Sequence, residues 1–113
     1  MEFRAVYRYA RIAPTKVHQV VNLIRGKTAQ EGLNTLRYLP HRGARMVEKT
    51  LKSAIGNAED RGARNAESLI IVEAKVDGGP MFKRIRPVSR GMAYGIQRKM
   101  SHIHVTLEDF SEL

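Results

Sequence analysis

The chain contains no cysteine, which removes disulfides, thiolate nucleophiles and cysteine-ligated zinc together. Long apolar runs are missing too. The longest is four residues, Leu69-Ile70-Ile71-Val72, far short of the roughly 20 that a membrane-spanning helix needs. The first residues lack the apolar central segment of a secretory signal, so the expected compartment is the cytoplasm. No G-x-x-x-x-G-K-[ST], G-x-S-x-G or G-x-G-x-x-G signature occurs, and with no catalytic set to build on, no enzyme is expected. The most informative absence is of negative charge. From Gly78 to Leu107 there are thirty residues without an Asp or Glu.

That acid-free stretch holds six cations: Lys83, Arg84, Arg86, Arg90, Arg98 and Lys99. The whole chain, 113 residues long, carries 20 Lys and Arg against 11 Asp and Glu, a net charge of +9 and a pI near 10.4. A length of this order fits one domain with a modest core. Its positive excess points first to nucleic acid, through phosphate neutralisation, and second to an anionic membrane surface. The charge is segregated: residues 1–40 carry +5, 41–75 only +2, 76–100 again +5 and 101–113 carry −3. Two basic arms flanking a nearly balanced middle suggest that both meet one acidic partner.

The N-terminal stretch alternates, with Phe3, Ala5 and Tyr7 on one side and Arg4, Val6 and Arg8 on the other, which predicts a strand over 2–12. One face is basic through Arg4, Arg8 and, beyond a slip in register, Arg11; a solvated edge strand is the plain alternative to a binding face. Pro14 suits the first turn of a helix, where its missing N–H is not needed. Val17, Val20, Val21 and Ile24 then form one apolar stripe, and Gly26 closes the helix as a left-handed cap. Thr28 and Glu31 have capping-box spacing for a second helix that must end before Pro40. A third helix is expected from about His41 to Asp60, with Ala44, Val47, Leu51, Ala54, Ile55 and Ala58 as its stripe. Residues 61–67 read as a polar loop.

Two strands close the pattern. Ser68 to Asp77 places Ile70, Val72, Ala74 and Val76 on one face, and Ile103, Val105 and Leu107 form the matching row of a return strand. Opposed residues share a face, so Val76 is expected opposite Ile103, Ala74 opposite Val105 and Val72 opposite Leu107. The turn then falls at Ser89-Arg90. From Asp77 to that turn is about 40 Å at roughly 3.3 Å per residue, well beyond the gyration radius of about 13–14 Å expected for a compact chain of this size. The hairpin must protrude. An acidic tail, frayed, is expected from Leu107 onward.

The hairpin is the strongest functional signal. A two-stranded ribbon is marginal alone in water, and this one has few apolar residues with which to pack on its own domain. Its cations suit several phosphates, and Phe82 and Tyr94 suit base stacking; the plain alternative is a flexible basic loop. His102 and His104 share a strand face, but with no cysteine and only Glu108 nearby they do not complete a ligand set. No metal and no cofactor is expected. Asp77 and Glu73 are read as ordinary strand polarity. The residues alone leave open a free-standing nucleic-acid chaperone or a basic DNA-binding module.

Several segments taken together resemble a known family, large-ribosomal-subunit protein twenty-two in its bacterial form. They are Arg11-Ile-Ala-Pro14-Thr-Lys16, Leu23-Ile-Arg-Gly-Lys27, Ser53-Ala-Ile-Gly-Asn57-Ala-Glu59, Val76-Asp-Gly-Gly-Pro80, Lys83-Arg84-Ile-Arg-Pro87 and Ser101-His-Ile-His-Val105. They run in the family's order from about Phe3 to Leu107. The resemblance implies an α+β fold with three helices packed on a three-stranded antiparallel sheet and a long protruding β-hairpin. It implies a single domain, with a globular body of about 1–77 and 102–113 and the extended hairpin at about 78–101. It further implies a structural protein of the cytoplasmic ribosome that binds large-subunit ribosomal RNA and supports assembly, with neighbouring large-subunit proteins as partners and neither membrane nor homo-oligomer. Carried over by position, Arg11, Lys16, Arg25 and Lys27 belong to the RNA-facing side of the body, together with the basic strand face of Arg4 and Arg8. Phe82, Lys83 and Arg84 lie near the constriction of the nascent-peptide exit tunnel. Arg86 to Gly91, including Ser89 and Arg90, form the tip that meets the nascent peptide. Departures from the family pattern fall at Ala13, Thr15 and Gly78, and at Val88 and Met92 of a tip more apolar than the family norm.

Overall fold

A computed structural model describes residues 2–78, 82–87, 93–98 and 100–108, the segments 82–87 and 93–98 at the level of backbone. The order of elements is β1 (Glu2–Ala10), α1 (Pro14–Ile24), α2 (Ala29–Tyr38), α3 (Arg42–Asp60), a 3-10 turn (Ala66–Ser68), β2 (Ile70–Gly78), β3 (Phe82–Pro87), β4 (Ala93–Arg98) and β5 (Ser101–Glu108). The fold is α+β: three helices and a three-stranded antiparallel sheet of order β1-β5-β2, with β3 and β4 forming a separate two-stranded ribbon. Among the described residues no helix is long and apolar enough to cross a membrane.

The central strand organises the core. Ile103, Val105 and Leu107 are fully buried, and each is flanked on both sides by an inward-facing partner. Phe3, Leu107 and Ile71 make one row, Ala5, Val105 and Ala74 the next, and Tyr7, Ile103 and Val76 the third. The helices cover that face with the stripes that periodicity predicts. Val17, Val20, Val21 and Ile24 of α1 and Ala44, Val47, Leu51, Ala54 and Ala58 of α3 are at most 1% exposed. Pro14 opens α1 without a side-chain cap at Ala13, and Gly26 follows it at φ +85°, where a Cβ is strongly disfavoured. Thr28 caps α2, its hydroxyl accepting the Glu31 N–H at 3.2 Å. Gly32 brings α2 onto the core. A Cβ there would stand 2.7 Å from Ile71 Cδ1 and 3.2 Å from Leu51 Cδ2.

Two local expectations are corrected. Leu107 pairs with Ile71 rather than Val72, because β2 has a bulge between Ile71 and Glu73. The slip buries Ile71 completely and leaves Ile70 and Val72 half-buried. Its cause lies across the sheet edge. The Gly26 N–H donates to the Ile71 carbonyl at 2.9 Å, and the Ile71 N–H donates to the Lys27 carbonyl at 2.8 Å, which pins Ile71 inward. Leu107 does not begin a frayed tail either: β5 runs to Glu108 and Leu107 is fully buried, since Phe3 and Ile71 close over it. The tail itself, 109–113, lies outside the described residues.

The expected pairs Val76 with Ile103 and Ala74 with Val105 are present. In the ribbon the pairs run from Phe82 with Arg98 to Pro87 with Ala93, one residue out of step with Gly78 opposite Ser101 at the base. The turn expected at Ser89-Arg90 lies outside the described residues. The molecule measures 67 × 25 × 18 Å with a radius of gyration of 17.3 Å, well above the roughly 13–14 Å of a compact chain this long. The elongation is what a projecting hairpin requires.

Candidate nucleic-acid interface

A second acid-free run precedes the hairpin's: residues 3–30 contain no Asp or Glu and hold Arg4, Arg8, Arg11, Lys16, Arg25 and Lys27. The structure divides these six cations into two groups. Arg25 turns back on the sheet, donating to the Ala74 carbonyl from Nε at 3.2 Å and from Nη2 at 2.6 Å, so it fastens the end of α1 to the free edge of β2. Lys27 Nζ donates to Thr35 Oγ1 at 3.2 Å, and Arg4 pairs with Glu2 at 3.2 Å on the surface. The remaining three, Arg8, Arg11 and Lys16, are exposed and belong to no ion pair among the described residues.

The chain that carries those three runs past the root of the ribbon. β1 pairs regularly with β5 as far as Tyr7 opposite Ile103, is interrupted by a bulge, and resumes with Ala10 opposite Ser101. Ser101 also pairs with Gly78, so it is the last residue of β5 before the ribbon departs. Its buried hydroxyl donates to the Ile12 carbonyl at 2.7 Å, which holds the 11–12 corner against the hairpin base. Arg8 lies on one side of that corner, Arg11 within it, and Lys16 in the first turn of α1 that follows.

The bulge has a further consequence that alternation does not foresee. It takes Tyr9 off the inward row, at φ +58°, and sets its ring on the outer side, 58% exposed. The Tyr9 N–H donates to His102 Nδ1 at 3.1 Å, and the two rings meet edge-on at 4.9 Å. His104 instead engages Asp77, with Nε2 3.0 Å from Oδ2, and Glu73 pairs with Lys75 at 3.3 Å. Each histidine therefore has its own protein partner, and no cluster of potential metal ligands occurs among the described residues.

Along the ribbon, Phe82, Lys83, Arg84 and Arg86 stand on β3, and Arg98 on β4. The backbone register sets Phe82 opposite Arg98, Arg84 opposite Ile96 and Arg86 opposite Tyr94. Ser89, Arg90, Gly91 and Lys99 lie outside the described residues. Basic residues thus occur on both acid-free segments, whose backbones meet where Ser101 pairs with Ala10 and with Gly78. Such an array neutralises consecutive phosphates along a polyanion, with arginine forks adding bidentate geometry.

The chain is similar to a known family and to proteins of several bacteria. Residues 5–108 match the family described as ribosomal protein L22p/L17e. The large ribosomal subunit protein uL22 of Rhodopirellula baltica is 50% identical, the match covering 94% of this chain and 93% of the relative. That of Caldicellulosiruptor saccharolyticus is 52% identical over 93% and 86% respectively. That of Chloroflexus aggregans is 46% identical over 99% of each. The matched span holds all three helices, the ribbon and the whole sheet except residues 2–4, and the chain belongs to the ribosomal protein L22p/L17e family.

Proposed function

We propose that this protein is a structural, non-enzymatic constituent of the large ribosomal subunit in the cytoplasm, and that it binds the subunit's ribosomal RNA through two surfaces. The body contributes Arg8, Arg11 and Lys16, with Arg4, Arg25 and Lys27 beside them. The ribbon contributes Lys83, Arg84, Arg86 and Arg98, with Arg90 and Lys99. The chain, 1–113, is one domain, with a globular body of about 1–77 and 102–113 and a hairpin of about 78–101 that extends from it into the RNA.

One observation carries this reading: a two-stranded ribbon, drawn from a stretch with no acidic residue, stands apart from the three-stranded sheet of its own body. A ribbon of this kind lacks the third strand or covering helix that independent stability requires. Ribosomal RNA supplies the missing cover, and the contacts are mostly to phosphate and sugar, positioning rather than reading sequence. By the same reading the tip, with Phe82, Lys83, Arg84, Arg86, Ser89, Arg90 and Gly91, lines the nascent-peptide exit tunnel. The partners are RNA, neighbouring large-subunit proteins and the nascent peptide, rather than a lipid surface or a second copy of the chain.

Sedimentation tests it. The tagged protein, expressed in its own cell, runs with large subunits through a sucrose gradient and stays there in moderate salt. A protein that runs free of ribosomes at low salt contradicts the assignment and favours a free-standing nucleic-acid chaperone.

A further inference from the structure

We infer that Tyr9 is a stacking platform for an unpaired nucleobase of the bound RNA, with the backbone bulge of β1 and His102 holding its ring in place. The inference rests on the RNA-binding reading above and adds a residue outside the set of cations.

Tyr9 has φ +58°, a left-handed conformation that a residue with a bulky side chain adopts rarely and at a cost. Glycine or asparagine would make the same bulge more easily. The tyrosine ring is therefore not explained by the turn it sits in. Nor is it explained by the core: the bulge gives the buried position to Ala10, which is fully buried, while the Tyr9 ring keeps 58% of its surface exposed. Backbone strain held by a rigid surround is a mark of functional positions, and the surround here is rigid. The Tyr9 N–H is fixed to His102 Nδ1 at 3.1 Å, the His102 ring braces the phenol edge-on at 4.9 Å, and Ala10 on the next position is paired with Ser101.

The setting identifies the occupant. The exposed ring lies between Arg8 and Arg11 in a run of chain with no acidic residue from position 3 to 30. Asp77, opposite His102 on β2, is engaged by His104 at 3.0 Å. An exposed aromatic ring with an exposed arginine close by in sequence on each side suits one ligand chemistry above others: a planar base stacked on the ring, with its flanking phosphates taken by guanidinium groups. An apolar protein partner would not require a cation on each side.

Binding of the full chain to a labelled transcript of the large-subunit ribosomal RNA, titrated across a series of salt concentrations, separates stacking from charge. Tyr9→Asn keeps a residue that tolerates the left-handed backbone and removes the ring. It should melt at or above the wild-type temperature, bind about 5- to 100-fold more weakly and keep the wild-type salt slope. Tyr9→Phe should bind within about twofold of wild type. Arg8→Gln, by contrast, should flatten the salt slope by about 0.7–0.9. Should Tyr9→Asn fold poorly by circular dichroism, Tyr9→Leu gives the same readout without the ring. Ring-less variants that bind as wild type does overturn the stacking role and leave the RNA-binding reading intact. A wild-type chain that shows no salt-dependent binding to the transcript overturns both.

Discussion

The two sheets of this molecule are built from one pair of chain segments and are stabilised in opposite ways. In the body, β2 and β5 pair with each other, β1 adds a third strand, and every inward residue of β5 has an apolar or aromatic neighbour on both flanks. Further along, the same two segments continue as β3 and β4, with no third strand among the described residues and a sequence of Lys, Arg, Gly and Pro where the body has Val and Ile. The body is closed by burial, whereas on the reading proposed above the ribbon is completed from outside by charge. A single chain can carry both because the change of register between Gly78 and Phe82 separates a base that must match the core from an arm that need not.

The contrast predicts that substitutions sort by region, stability in one and RNA affinity in the other. Leu51→Ala removes a fully buried side chain from the middle of α3 and should lower the unfolding free energy by about 2–5 kcal/mol, read by urea denaturation. Gly32→Ala drives a methyl into Ile71 Cδ1 at 2.7 Å and should cost about 1–3 kcal/mol in the same assay. Arg45→Ala is next. Its Nη2 donates to the carbonyls of Leu36, Arg37 and Leu39 at 2.7, 3.1 and 2.7 Å, a cation on the carbonyl end of α2, and its loss should cost about 1 kcal/mol. At the other extreme, Arg84→Gln in the ribbon should leave the melting temperature unchanged and reduce the salt slope of RNA binding by about 0.7–0.9. A ribbon substitution that destabilised the fold as much as Gly32→Ala would dissolve the distinction.

Much of the body is legible in the sequence because its signals are periodic. The stripe Val17, Val20, Val21 and Ile24 and the alternate row Ile103, Val105 and Leu107 are buried as their spacing requires. The run Leu69 to Val72 is not legible in the same way. Four consecutive apolar residues satisfy either face, and the choice of Ile71 is made by backbone bonds from Gly26 and Lys27, more than forty positions earlier. The basic residues show the same limit. Strand alternation puts Arg8 on a basic face and the family resemblance makes Arg25 RNA-facing; in the structure Arg25 places two donors on the Ala74 carbonyl, while Arg8 is exposed with no ion pair among the described residues. Tyr9 is the position that pattern reading passes over. Alternation shows that the register slips before Arg11, but the left-handed residue at which it slips is set by the pairing of Ala10 with Ser101.

On the proposed reading the ribbon belongs energetically to the RNA and not to the body. Excising residues 79–100 and closing Gly78 to Ser101, which are paired, with an Asn-Gly turn tests it directly. The account predicts a body that melts within a few degrees of the full chain, while affinity for large-subunit ribosomal RNA falls by orders of magnitude as six cations are lost. A body that unfolds on excision, or a truncated chain that binds as tightly as the intact one, would contradict it.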